Sequence, residues 1–274
     1  VAPAPYSQNV DFTSDSSGQG RFDFAEGTVD FAVSDLPYQA SDGAHPTFAY
    51  TSIPITGAGV AFMYHLQGLP TGTTLQLSSE SVCALMTGSV TNWDSPVVQA
   101  DNPGVTLPST PVTPVIRADP AGTDLALQEY CIHEQPTLWS SFVTSPGVTG
   151  YPGQVADLSA TTPHPDWPFF AGAVIASGAA AAADDVAAAP DDGYITAVEP
   201  AYATQRHYPV ASVENASGRY TQPTPVDVES ALAYASEGAG GTPVLDFDAT
   251  GPDVYDPSTF DDLLAPTTGS DPGK

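Results

Sequence analysis

Val112-Thr113-Pro114-Val115-Ile116-Arg117-Ala118-Asp119-Pro120-Ala121-Gly122-Thr123-Asp124-Leu125-Ala126-Leu127-Gln128-Glu129-Tyr130-Cys131 reads as a strand, a tight turn containing glycine, and a helix. The β-branched run from Val112 to Ile116 suits a buried strand, and the stretch from Asp124 to Cys131 suits a helix. Such a junction aims the unpaired N–H groups of the first helical turn at whatever sits in front of it, which makes an anion site. Arg117, one of only five Lys and Arg residues among 274, stands at the mouth of that turn. Its planar fork suits a phosphate or a carboxylate, and Asp119 is spaced to hold the fork. The plainer reading is an ordinary turn with a surface Arg–Asp pair, a common feature that contributes little to stability. The scarcity of cations favours the anion-binding reading.

Composition narrows the field. Asp and Glu number 32, the formal charge is −27, and 41% of residues are hydrophobic, so a sizeable core is available. Nucleic acid and anionic lipid surfaces both need clustered cations and are excluded as partners. A small anion held by hydrogen bonds and one arginine is not. The acidic surface reads as a solubility feature of an exported or salt-exposed protein. No apolar run reaches the length of a membrane span, so any membrane attachment is expected through an anchor outside this chain. The Ala-rich stretch Ala171–Ala189, broken by Ser177-Gly178 and Asp184-Asp185, reads as a helix.

Outward from the central stretch, strands and helices alternate, and the class is α/β. Upstream, Ser14-Asp15-Ser16-Ser17-Gly18-Gln19-Gly20 is a polar loop opening a helix over 21–26. Residues 28–33 form a strand with Ser34-Asp35 at its carboxyl end, where ligands of open α/β sheets bind. An ionised Asp35 only accepts hydrogen bonds, so beside an anion it favours a protonated species such as hydrogen phosphate over sulfate. A long β-rich run covers 51–66, and a helix over 79–86 is capped by Ser78 or Ser79 and ended by Gly88. Downstream, Trp139 and Trp167 are packing anchors in a Pro-, Gly-, Ser- and Thr-rich stretch. Residues 194–198 form a strand, 226–236 a helix, and 260–265 a last strand. Cys83 and Cys131 form one bridge in an oxidising compartment or remain buried thiols in a reducing one. The five histidines are scattered, no metal-ligand spacing is present, and neither a metal nor a cofactor is expected. No nucleophile–base pair or G-x-S-x-G motif argues for an enzyme.

Several stretches taken together resemble the phosphate-binding proteins of ABC transporters, within the type II periplasmic-binding-protein superfamily. They are Ser16-Ser17-Gly18; Gly27 to Asp35; Ile53 to Ala61; Leu77 to Trp93; Asn102 to Pro108; Arg117 to Thr123; and Gly193 to Ala203. The resemblance implies a two-lobed α/β fold with hinge strands. Residues 1–66 plus 255–274 would make a discontinuous and incomplete first lobe, lacking the family's usual first strand and helix and its closing helices. Residues 67–254 would make the second.

Carried over residue by residue, the phosphate-binding set is Ser16, Ser17, Asp35, Arg117, Asp119, Gly122 and Thr123. Asp35 accepts the phosphate proton, Arg117 is the charge partner, and Gly122 and Thr123 donate from the helix terminus. Ala121 stands where the family usually has serine. A Cys83–Cys131 bridge in the second lobe and an extracellular or cell-surface location are expected with the family. So is delivery of inorganic phosphate to an ABC permease. The alternative is an extracellular binding or adhesion module that keeps the fold with an altered or lost ligand.

Overall fold

The strand that begins at Tyr50 leaves one sheet and enters another without a turn between them. In the computed structural model, which describes residues 10–13, 15–38, 42–150, 158–237 and 243–267, β2 (Tyr50–Gly59) is followed across the single residue Val60 by β3 (Ala61–His65). β1 (Ala32–Ser34), β2 and the last strand, β12 (Ser258–Pro266), form an antiparallel sheet in the order β1-β12-β2. β3 belongs to a second sheet with β5 (Thr113–Arg117), β6 (Val174–Ala176) and β7 (Tyr194–Val198), in the order β3-β7-β5-β6. There β5 runs parallel to both neighbours and β3 antiparallel to β7. A short third sheet joins β4 (Gln76–Leu77), β8 (Ser212–Glu214) and β9 (Tyr220–Thr221), and β10 (Ser236–Glu237) pairs with β11 (Pro243–Val244).

The first sheet is joined to the larger part of the fold by two connections, side by side: β2 into β3, and residues 255–257 into β12. Val60 donates its N–H to the Pro257 carbonyl at 2.8 Å, and the Tyr255 hydroxyl donates to the Val60 carbonyl at 2.6 Å. Gly59 permits this approach, because a Cβ there would lie 2.9 Å from the Tyr255 ring.

The four-stranded sheet is buried on both faces, as strands fed by parallel crossovers must be. Alternate residues choose the face. Phe62, Tyr64, Ile116 and Ile195 enter the main core, while Met63, Val115 and Val198 face the other way. The main core is completed by α2 (Ser79–Met86), α4 (Gly122–Glu134) and α5 (Pro136–Val143). Trp139 and Trp167 are its anchors, with ring centroids 5.5 Å apart and edge-to-face. On the opposite face lies α6 (Ala179–Ala187), whose Ala179, Ala182 and Ala183 bring its backbone close to the strands. The Cys83–Cys131 bridge is formed, ties α2 to α4 and is fully buried.

Several sequence expectations move. The Ala-rich stretch is not one helix: Val174–Ala176 is β6, and Gly178, at φ 90°, turns the chain into α6. α1 begins at Ser17, not Arg21, because the Ser16 side chain caps it by accepting from the Gln19 N–H. The strand expected at 28–33 shrinks to β1, since Gly27, at φ 70°, and the turns after it occupy the lead-in. α3 (Pro96–Asp101), α5 and α7 (Pro200–Arg206) each start on a proline at the first helical position, a signal for helix entry. The helix expected at 226–236 is α8 (Pro225–Leu232). The N-terminal lead-in through residue 9 and Ser14 fall outside the described residues.

Candidate anion site

β5 ends at Arg117, and the chain turns at once into α4, as the β-branched run and the glycine require. The Ala121 carbonyl accepts the Leu125 N–H, which closes the first helical turn. Ala121 itself supplies no side-chain cap, so the leading amides of α4 keep their donor capacity. Arg117 is 8% exposed. Its Nε donates to Asp119 Oδ1 at 3.3 Å, and its Nη2 makes a short bond to Asp119 Oδ2. Asp119 thus holds the fork in the manner its spacing suggests. Arg117 Nη1 donates to the Thr123 hydroxyl at 3.2 Å and stands 3.8 Å from Glu199 Oε1.

The first sheet meets this turn from the other side. Asp35 follows β1 directly, and its backbone N–H donates to the Ser17 hydroxyl at 3.3 Å. Its Oδ1 is buried without a hydrogen-bond partner. The carboxyl group lies against Gly122, where a Cβ would fall 2.2 Å from Asp35 Cγ. Gly18, in the first turn of α1, lies against Pro120, 3.4 Å from where its own Cβ would be. The structure therefore brings together Ser17, Asp35, Arg117, Asp119, Gly122 and Thr123. Ser16 stands one residue before them, with its hydroxyl engaged as the α1 cap.

Four further acidic groups in this neighbourhood were not among the sequence candidates: Glu199 and Asp124 act on Arg117 directly, Asp166 on Asp124, and Asp261 on Asp35 and Glu199. Glu199 follows β7 as Arg117 follows the parallel neighbour β5, so the two arrive at the same sheet end. The rule that ligands gather at the carboxyl ends of strands would have found it. Asp124 is 4% exposed in the first turn of α4. Asp166 is also buried, beside His164, and Asp261 lies in the middle of β12. No local pattern marks Asp166 or Asp261, which reach the site from distant segments.

The electrostatics are lopsided, with one guanidinium facing several carboxylates. Burial pulls the Arg117 pKa down, but the Asp119 hydrogen bond and the charges of Asp124, Asp119 and Glu199 outweigh it, and the group is held well above its usual value. Burial pushes Asp124 well above the carboxylate range against the opposing pull of Arg117. Burial also raises Glu199, again opposed by Arg117. Asp261 is pushed up to about 6 by burial, then by the charges of Asp35, Glu199 and Asp262. Asp124 Oδ2 and Glu199 Oε2 are buried without partners. The site thus offers a fixed cation, free helix-terminal donors, and carboxyl groups biased toward the protonated form. That combination can bind an oxyanion, and the unpartnered Asp35 Oδ1 can accept a proton from it.

The chain is 31% identical over 127 residues to the phosphate-binding protein PstS2 of Mycobacterium bovis, a match covering 44% of this chain and 34% of that one. It is 26% identical over 227 residues to the phosphate-binding protein PstS of Xylella fastidiosa, covering 83% of this chain and 55% of that one. The chain therefore spans about a third to about half of the curated relatives it matches. Among solved structures, the ancestral soluble variant of the human phosphate binding protein superposes with a TM-score of 0.64 at 18% identity, over 94% of this chain and 74% of that one. The shared fold is the mixed α/β fold of type II periplasmic binding proteins. The model of the PBP superfamily domain matches residues 3–253, and the chain belongs to that superfamily.

Proposed function

We propose that this protein captures inorganic phosphate at the Arg117 turn, between two lobes, and hands it to an ABC importer on the outer side of a membrane. The observation that carries the reading is the junction of Arg117 with the uncapped start of α4, faced by Asp35 from the other sheet. The PstS relatives, named as phosphate-binding proteins, support phosphate as the anion. They also support a binding role without catalysis. Among the described residues no helix is long and apolar enough to cross a membrane, in keeping with a protein delivered to its permease from one side.

The chemistry of the pocket selects protonated phosphate. Arg117 supplies the single positive charge, and the amides of Gly122 and Thr123 donate to the oxygens left bare. Ser16 and Ser17 bring hydroxyls from α1. Asp35 accepts a proton of the ligand, which sulfate does not carry near neutral pH. Asp119 positions Arg117 and does not need to touch the anion. The lobes are residues 1–66 plus 255–274 and residues 67–254, with the junction drawn in to Val60, because β3 is hydrogen-bonded into the larger sheet.

A second reading has its own support. Arg117 is already engaged by Asp119, Thr123 and Glu199, as in a relative that keeps the fold but has changed its ligand. Isothermal titration of phosphate-stripped protein with phosphate and, separately, sulfate tests the two. Tight binding of phosphate alone supports capture. Binding of neither leaves the fold-only reading.

A further inference from the structure

A guanidinium carries five N–H donors in a fixed fork, and most of the Arg117 fork is already taken. Nε and Nη2 donate to Asp119, and Nη1 donates to the Thr123 hydroxyl at 3.2 Å. The Glu199 carboxylate stands beside the same Nη1, with Oε1 3.8 Å away, beyond hydrogen-bond reach. Its other oxygen, Oε2, is buried and receives no donor among the described residues. Glu199 joins β7 to α7, and its side chain does not cap that helix. Among the described residues, the only ion pair it makes is with Arg117. Of the three groups on the fork, Asp119 is held by two bonds, Thr123 by one and Glu199 by none, so Glu199 is the one free to yield.

The other ionisable groups that face Glu199 are all acids. They are Asp35 after β1, Asp119 in the turn, Asp124 on α4, Asp261 on β12 and Tyr202 on α7. Burial raises Glu199 above the ordinary carboxylate range, Arg117 opposes the rise, and Asp35 and Asp119 add to it. The ionised form of Glu199 therefore depends on one cation. An anion that engages Arg117 takes up that cation and adds negative charge beside Glu199, and both effects favour the neutral carboxyl group.

We propose that Glu199 is a built-in competitor for the anion: its carboxylate is the loosely held counter-charge that Arg117 draws from its own chain, and it gives way, taking up a proton, when phosphate binds. The inference rests on the reading of the Arg117 turn as a phosphate site. The hydrogen phosphate dianion keeps its own proton for Asp35, and the proton for Glu199 comes from solvent. Glu199 thereby sets the affinity and its pH response. Phosphate is held more tightly as pH falls, and less tightly once Glu199 stays ionised.

The experiment is calorimetric titration of the phosphate-stripped full chain with inorganic phosphate between pH 5.5 and 8.5, in two buffers of different ionisation enthalpy at each pH, so that the heats count the protons taken up. At pH 8 the wild type is expected to take up about one proton more per phosphate than Glu199→Gln. Glu199→Gln should bind phosphate about tenfold or more tightly than wild type at pH 8, with the two converging near pH 5.5. The ligand's own titration is common to both proteins and cancels in the comparison. Asp94→Asn, which removes one charge at an exposed position, keeps the wild-type profile. Glu199→Ala repeats the comparison if the glutamine variant does not fold. Weaker phosphate binding by the Glu199 variant at every pH makes Glu199 a group that positions Arg117 and overturns the competitor role. An equal proton count in the two proteins overturns it as well, and leaves phosphate capture standing. Phosphate binding by neither protein at any pH overturns the capture reading itself, and this inference with it.

Discussion

Gly122 lies so close to Asp35 that a Cβ on it would sit 2.2 Å from the Asp35 Cγ. The first turn of α4 and the end of β1 meet with room for a hydrogen and nothing larger. Gly122→Ala must therefore push the Asp35 carboxyl away from the helix terminus. A stability loss of about 1–3 kcal/mol is expected by urea unfolding, with phosphate affinity reduced at least about tenfold. The double variant with Asp35→Ala recovers the stability and not the affinity, because the clash goes but the acceptor goes with it.

Arg117→Met leaves Asp119, Asp124 and Glu199 facing one another without their cation. A loss of about 3 kcal/mol is expected, the scale for removing one partner of a buried pair. The loss shrinks as pH falls, because burial holds the Asp124 and Glu199 carboxyl groups above their usual range and favours their neutral forms. Denaturant midpoints at pH 4.5 and 7.5 provide the check, and a pH-independent loss would mean that the three acids do not sense Arg117.

Asp261 gives a pH dependence whose sign is fixed. Its folded pKa, about 6, lies above the ordinary 3.8, from burial and from Asp35, Glu199 and Asp262. The folded state keeps a proton that the unfolded chain gives up. Stability contributed by this group is full below pH 4 and is lost as pH rises through 6. Asp261→Asn removes that part of the decline, up to about 2 kcal/mol between pH 4 and 7 after solvent screening. Parallel stability curves for wild type and variant would refute the assignment.

Ala121→Ser places a hydroxyl at an N-cap that has extended backbone, at φ −140° and ψ 143°, and no capping side chain. A gain of about 0.5–1 kcal/mol in stability is expected. The same hydroxyl can donate to a bound anion, so phosphate should bind about two- to tenfold more tightly by titration.

Reduction of Cys83–Cys131, or replacement of both by serine, opens a loop closed over 48 residues. The chain-entropy model gives a loss of about 4 kcal/mol, at the upper end of the usual range. Both positions are fully buried in the main core, so C83A/C131A is the better control for lost packing.

The central stretch was legible because its signals are local. A β-branched run, a glycine and an arginine in one window give the strand and the turn and point to an anion. Ser78, Gly88 and the proline-led helices follow from capping rules of the same short range. Val174–Ala176 was misread because an alanine-rich run has little periodicity, and the break at Gly178 marks a turn only once a parallel partner, β5, is known. Glu199, Asp166 and Asp261 reach the neighbourhood of the Arg117 turn through contacts spanning roughly 40 residues or more of chain, which no window contains.

The double connection at Val60 and Tyr255 limits how this molecule can move. Two connections set side by side and bonded to each other fasten the first sheet to the rest of the fold at a single point. Away from that point, Gly18 on Pro120 and Asp35 on Gly122 bridge the two sheets near the Arg117 turn. The two parts are therefore bonded through backbone at Val60 and, at the Arg117 turn, touch only through small side-chain contacts.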